Sequence, residues 1–370
     1  MLPADLVARG AHTMTVCNAC RYCEQYCAVF PAMEQRQAFG AADLTYLANL
    51  CHNCGECLYA CQFAPPHEFG INVPRLLAET RLASYEEYCW PRFLATAFRR
   101  HNLRTGMALA AGCSALLLGL ALMTTGGVVW SPGGSGDFYA VVPHGVMVGL
   151  FGAVFAFALL AVAVGVFRFR RTVPGGATRP GLKATAEAVR SALTLRYLHD
   201  SGTDCTDAEE TRRPWRRWLH HGTFYGFMLC FASTSVAAVY HGVFGWRAPY
   251  GYASLPVILG TLGGLGLVVG PAGLLMLRRR RDPALGDPAQ RGLDESLLAL
   301  LLLTSATGLA LLALRHSAAM GLLLVVHLGA VLALFLTIPY GKFVHGLYRL
   351  AALVIFASET SRSSRGCPGT

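Results

Sequence analysis

At 370 residues, with 54 % hydrophobic and only 14 % charged side chains, the chain departs from ordinary soluble composition, in which about a quarter of residues carry charge. That balance points to an integral membrane protein. A formal net charge of +10 would suit nucleic acid, but the basic residues sit beside apolar runs, and no basic stripe with interleaved aromatics occurs elsewhere, so no nucleic-acid partner is expected.

Residues 1–16 contain Asp5, Arg9 and His12 and lack an apolar core followed by a small-residue cleavage site, so no signal peptide is expected. Two cysteine runs follow. Cys17, Cys20, Cys23 and Cys27 form the first, and Cys51, Cys54, Cys57 and Cys61 the second, each spaced C-x2-C-x2-C-x3-C. That spacing wraps three thiolates around one cubane and sends the fourth into the next turn, which points to two [4Fe–4S] clusters. Structural zinc sites pair two short knuckles separated by about a dozen or more residues, so three thiols in so short a loop overcrowd a tetrahedral ion. Disulfides fit worse, because dense cysteines in a reducing compartment more often bind metal.

The runs resemble those of two-cluster ferredoxins, in which the fourth cysteine ligates the opposite cluster. The resemblance implies one cluster on Cys17, Cys20, Cys23 and Cys61 and the other on Cys51, Cys54, Cys57 and Cys27. It departs in one respect: Ala28 and Gln62 follow the fourth cysteines, where bacterial ferredoxins carry proline. Between the runs, Leu44, Leu47 and Leu50 recur at helical spacing. This is similar to the linker of the fumarate reductase and succinate dehydrogenase iron–sulfur subunits, which implies an α-helical ferredoxin domain over residues 1–74.

Residues 75–105 read as an amphipathic linker, with Leu76, Leu77, Leu82, Tyr85 and Trp90 interrupted by Pro91, that lays the cluster domain against the lipid bilayer. Beyond it, six stretches are long and apolar enough to span about 30 Å of hydrocarbon. They cover 106–129, 143–167, 219–244, 254–277, 296–314 and 319–341 within a membrane domain of residues 106–355. Arg92, Arg99, Arg100 and Arg104, then Arg168, Arg170 and Arg171, then Arg212, Arg213, Arg216 and Arg217, and finally Arg278–Arg281 all fall on one side; the opposite loops carry only Arg247 and Arg315. The positive-inside rule places both termini, the clusters and the 168–218 loop on the cytoplasmic face of the cytoplasmic membrane. The loop is expected to be partly helical and partly mobile, and residues 356–370 to form a disordered tail. The fold class is all-α: a ferredoxin domain followed by a six-helix, cytochrome b-type bundle.

Histidines inside the spans are the second chemical signal, because ionisable groups in a bilayer mark function. His327 and His345 stand 18 residues apart, five whole turns on one face of the sixth span and about 27 Å in height. The third span carries His220 and His221 at its inner end and His241 at its outer end. Counting spans makes these two helices antiparallel, so His241 is level with His327 and His220 or His221 with His345. Opposed imidazoles at one level suit a low-spin haem, and the absence of C-x-x-C-H makes it b-type, in one or two copies. Geometry on a straight helix favours His220 over His221, and a break near Gly222 would reverse this. His144 is the reserve ligand at the outer level; His12, His52, His67, His101, His199 and His316 read as interface, loop or cluster-domain residues. Pro339 is expected to kink the sixth helix and aim His345.

The glycines at 260, 263, 264, 266 and 270 lie inside the fourth span with no preceding strand, so they read as helix packing rather than a nucleotide loop. Cys89, Cys113, Cys205, Cys230 and Cys367 lack ligand spacing. No nucleotide motif is present, so any flavin belongs to a partner. A heterodisulfide-reductase-like subunit would carry adjacent cysteines, which are absent, and a redox-sensing receptor would need an output domain for which 356–370 is too short.

The segments CNACRYCEQYC at 17–27, CHNCGECLYAC at 51–61, HHGTFYGFMLCFASTS at 220–235 ending in His241, and IPYGKFVH at 338–345 resemble the tricarballylate (citrate) utilisation protein B family. The membrane half is also distantly similar to the cytochrome b subunit of respiratory nitrate reductases. The resemblance implies a membrane electron-transfer protein that reoxidises a partner FAD-dependent tricarballylate dehydrogenase and delivers electrons to the quinone pool.

Overall fold

The computed structural model describes residues 2–95, 102–125, 129, 137–198 and 215–366. Arg99, Arg100, His101, His199, Cys205, Arg212, Arg213 and Cys367 lie outside the described residues, which are helical with no strand among them.

The cysteine-bearing end consists of α1 (Ala4–Cys20), α2 (Val29–Glu34), α3 (Ala41–Leu50), α4 (Glu56–Tyr59) and α5 (Val73–Tyr88). Leu44, Leu47 and Leu50 of α3 are fully buried with Met14 and Leu77, as their helical spacing requires. The helix over residues 73–88 is not the peripheral linker expected of residues 75–105. Asn72 caps it by accepting from the Arg75 N–H, and it buries polar as well as apolar faces. Thr80, Arg81 and Ser84 are all inside: Thr80 donates to the Leu76 carbonyl, Arg81 to the carbonyls of Ala48 and Cys51, and Asn49 to the Ser84 hydroxyl. Satisfied hydrogen bonds let polar positions enter a core that amphipathicity alone assigned to a surface.

Among the described residues, six helices are long and apolar enough to cross a membrane, which makes this a multi-pass membrane protein: α6 (Asn102–Thr125), α8 (His144–Thr172), α10 (Trp215–Gly242), α11 (Leu255–Arg279), α12 (Pro288–Leu314) and α13 (Met320–Thr337). Short α7 (Phe138–Val141) precedes α8, and α9 (Leu182–Leu193) follows it within the expected loop. Helix α13 is the central member, packed against α6, α8 and α12, whereas α10 leans chiefly on α11. The α10–α11 crossing is glycine-made. A Cβ on Gly226 would lie 2.9 Å from the Gly263 carbonyl oxygen, and one on Gly270 would lie 2.7 Å from the Leu219 oxygen, so only a bare backbone permits this approach.

Two expectations are corrected near the C-terminus. The sixth span does not continue to His345: α13 ends at Thr337 and a separate α14 (Val344–Gly366) begins after a turn. Pro339 has no N–H to continue the ladder, and Tyr340 and Gly341 instead donate back to the Thr337 carbonyl. His327 and His345 therefore do not share one helix face. Residues 356–366 are not a disordered tail either, because they extend α14. Its Tyr348, Ala352 and Ile355 join Phe169 of α8, Ala188 of α9 and the leucines of α3 in one apolar core. Glu359 then accepts from Arg36 at 2.9 Å and from the Tyr46 hydroxyl at 3.0 Å. Cysteine domain and membrane bundle thus share a core.

Candidate metal centres

Helix ends and left-handed turns place the eight cysteines. Cys17 and Cys20 occupy the last turn of α1, where Arg21 reverses the chain at φ 55°, and Cys27 stands just ahead of α2. Cys51 caps α3; Asn53 and Gly55 then adopt φ of 55° and 105°, curling the loop that carries Cys54 into α4. The Asn53 N–H donates to the Cys51 sulfur at 3.2 Å.

The thiols sort into two pockets. One is lined by Cys17, Cys20, Cys23 and Cys61 beside the exposed Tyr22, and also by Cys57, which the two pockets share. The other is lined by Cys51, Cys54, Cys57 and Cys27, with His52 and Asn53. Each pocket takes its fourth cysteine from the other run. Burial, then the neighbouring thiols, push Cys17 and Cys23 up to about 12 and Cys27 and Cys57 well above the usual thiol value. Burial also raises Cys54 to about 11. Sulfur atoms arranged this way resist ionisation together unless a cationic centre lies among them, and a coordinated thiol is deprotonated outright. Among the described residues no three His, Cys, Asp or Glu side chains converge tightly enough for a single ion. A tetrahedral zinc with 2.3 Å bonds needs sulfurs roughly 3.8 Å apart, whereas a cubane offers a separate iron to each thiolate. The all-thiol donor sets and their C-x2-C-x2-C-x3-C spacing are those a cubane takes.

Beside the second pocket stands a histidine pair. The rings of His220, on the second turn of α10, and His345, on the first turn of α14, have centroids 6.1 Å apart and planes 77° to each other. Two axial imidazoles on one iron would stand about 6 Å apart by centroid, from metal–nitrogen bonds near 2.0 Å, so this pair fits a haem. His345 Nδ1–H donates to the Lys342 carbonyl at 2.8 Å, which fixes the tautomer and leaves Nε2 for metal. Burial, with Lys342 and His220 nearby, pulls His345 down to about 3, so the ring is neutral as a ligand must be. His221 stacks instead on Tyr225 at 5.5 Å.

The expected outer pair does not assemble. His241 in the last turn of α10 stacks on His144 at 3.8 Å, with the Tyr139 hydroxyl 3.4 Å from its Nδ1. His327 lies seven residues inside α13, about 10 Å deeper than that helix end. Its Nδ1 sits 3.1 Å from the Thr304 carbonyl and 3.2 Å from the Thr307 hydroxyl of α12. Equal span counts gave equal levels on paper; the positions of the residues within their helices do not.

Sequence reasoning gave His52 only an interface, loop or cluster-domain reading and did not foresee the contacts of Arg216, Arg281 and Arg349. His52 lines the second pocket, and burial, with Arg349 and His220 nearby, holds its imidazole well below the usual value. Arg216 donates to the carbonyls of Asn53 at 3.1 Å and His52 at 3.3 Å, and Arg281 reaches Asn53 Oδ1 at 3.0 Å. Both arginines were visible only as topology charges. The one available signal for Arg349 was its place one turn beyond His345.

Family models for citrate utilization protein B and for its Fer4-like domain match residues 98–366 and 10–87. The second range includes nearly all of α5, in keeping with its place in the cysteine core. The chain is 52 % identical over 359 residues, covering 97 % of itself and 94 % of the relative, to the citrate utilization protein B of Escherichia coli. No solved structure matches the chain.

Proposed function

Because the chain belongs to the citrate utilization protein B family, we propose that it is a membrane electron-transfer protein of citrate or tricarballylate use, taking electrons from a partner FAD-dependent dehydrogenase to the quinone pool. The Fer4-like domain assigns it an iron–sulfur electron-transfer role. One observation carries the rest: the second cysteine pocket and the His220–His345 pair adjoin, joined through His52 and Arg216. Cys17, Cys20, Cys23 and Cys61 would hold one [4Fe–4S] cluster, Cys51, Cys54, Cys57 and Cys27 the other, and His220 and His345 a b-type haem. Bound there, such groups supply one-electron steps, which is what links a two-electron flavin to single-electron carriers.

The protein's own residues arrange this. The first pocket opens to solvent beside Tyr22 and Gln62, where a separate flavoprotein can approach. The second is much smaller, and Arg216 of α10 and Arg281 beyond α11 hold its loop from the bundle side. The arginines at this end support a cytoplasmic location for it, by the positive-inside rule. Bound there, the groups would supply a path from the cysteines of the open pocket through those of the second pocket to His220 and His345, and so from flavin toward quinone. His241 and His327 lack the paired geometry, so the outer level is not part of the proposed route.

The test is to reconstitute the purified protein in quinone-containing liposomes and add reduced partner dehydrogenase. Flavin reoxidation that depends on quinone, with about eight irons per chain and a bis-imidazole haem spectrum, is expected. Iron without any haem would remove the histidine pair from the scheme, and absence of iron would remove the scheme.

A further inference from the structure

Four arginines from four separate elements close on the loop that carries Cys51 and Cys54. Arg81 of α5 donates to the carbonyls of Ala48 at 2.8 Å and Cys51 at 2.7 Å. Arg216 of α10 and Arg281, just beyond α11, hold His52 and Asn53. Arg349 of α14, one turn beyond His345, is buried, and its Nη2 has no hydrogen-bond partner. Two carboxylates oppose them: Glu56, buried beside Cys54, and Asp294, whose charge acts on Arg281. The open pocket has no such collar. No arginine lines either pocket, but among the described residues the only arginine side chain bonded onto the Cys17–Cys23 segment is that of Arg21. Arg21, next to Cys20 in sequence, is exposed and turned to the Asn18 carbonyl. Buried charges act with little screening, whereas exposed ones are damped within a Debye length.

We propose that the collar of Arg81, Arg216, Arg281 and Arg349 makes the centre on Cys27, Cys51, Cys54 and Cys57 the better electron acceptor of the two, and so sets the direction of transfer toward His220 and His345. The inference rests on the iron–sulfur reading above. Reduction adds one negative charge to a centre, and fixed cations stabilise that charge. Each transfer moves one electron out of the open centre and one into the second centre, with no bond made or broken and no proton moved. Arg349, whose Nη2 has no hydrogen-bond partner, contributes charge without docking the loop, whereas Arg81, Arg216 and Arg281 also position it.

The experiment is an EPR-monitored redox titration of the full-length protein in detergent, with dithionite as reductant. Its signals are assigned through Cys54→Ser and Cys20→Ser. In the unaltered protein the signal altered by Cys54→Ser is expected at the higher potential. Arg349→Gln should lower that potential by at least about 59 mV, a tenfold change in electron sharing for a one-electron step. The other signal should stay fixed, and Arg349→Lys should restore most of the shift. Arg281→Gln carries the same expectation if Arg349→Gln fails to assemble. Equal movement of both signals, or none, overturns the arginine assignment; absence of both signals in the unaltered protein overturns the iron–sulfur reading instead.

Discussion

Arg36 shows how single side chains tie the cysteine domain to the rest. Its buried guanidinium pairs with Asp43 at 3.1 Å and Glu359 at 2.9 Å and lies over the Tyr46 ring at 4.5 Å. Glu359→Gln removes one of the two carboxylates on Arg36 and leaves Asp43, so it should cost about 1.5–3 kcal/mol and lower the melting temperature in detergent by several degrees. An unchanged melt would show that α14 is not anchored there. The inner histidines make a second case. His220→Leu and His345→Leu should each abolish the same haem absorbance, whereas His221→Leu should leave it; the reverse pattern would dissolve the pair. Sequence spacing left His220 and His221 both open, because helical phase depends on local straightness. The ring contact with His345 separates them. Arg349 and His52 were illegible for another reason: an arginine or histidine shows its role only by what faces it.

Helices were the most legible part of the chain. Six apolar runs became six membrane helices, since length and hydropathy alone decide whether a segment can span a bilayer. What could not be read was where they stop and what they touch. The turn at 338–343 separates His327 from His345, and α5 enters a core through internal hydrogen bonds that a hydrophobic pattern does not register. The glycine seam makes the cleanest test of packing. Gly226→Ala should destabilise by about 1–3 kcal/mol, because its methyl would meet the Gly263 backbone, which cannot yield as a side chain would. Gly149→Ala, with nothing within 4 Å, should be neutral or slightly stabilising through helix propensity. Comparable melting shifts for the two variants would mean that α10 and α11 do not cross at their glycines.

For the whole molecule, the shared core of α3, α8, α9 and α14 means that the cysteine domain and the bundle are one unit rather than a carrier tethered to a membrane anchor. Both cysteine runs were legible from spacing, while their exchange of Cys27 and Cys61 came by resemblance; the two pockets now give that exchange a geometric basis. The decisive experiment is low-temperature EPR on reduced full-length protein carrying Cys27→Ser or Cys61→Ser. Crossed pockets predict that Cys61→Ser changes the same signal as Cys17→Ser and spares the other, while Cys27→Ser changes the signal altered by Cys51→Ser. If Cys27→Ser and Cys17→Ser instead alter one common signal, each run binds its own cluster and the two-pocket arrangement is wrong.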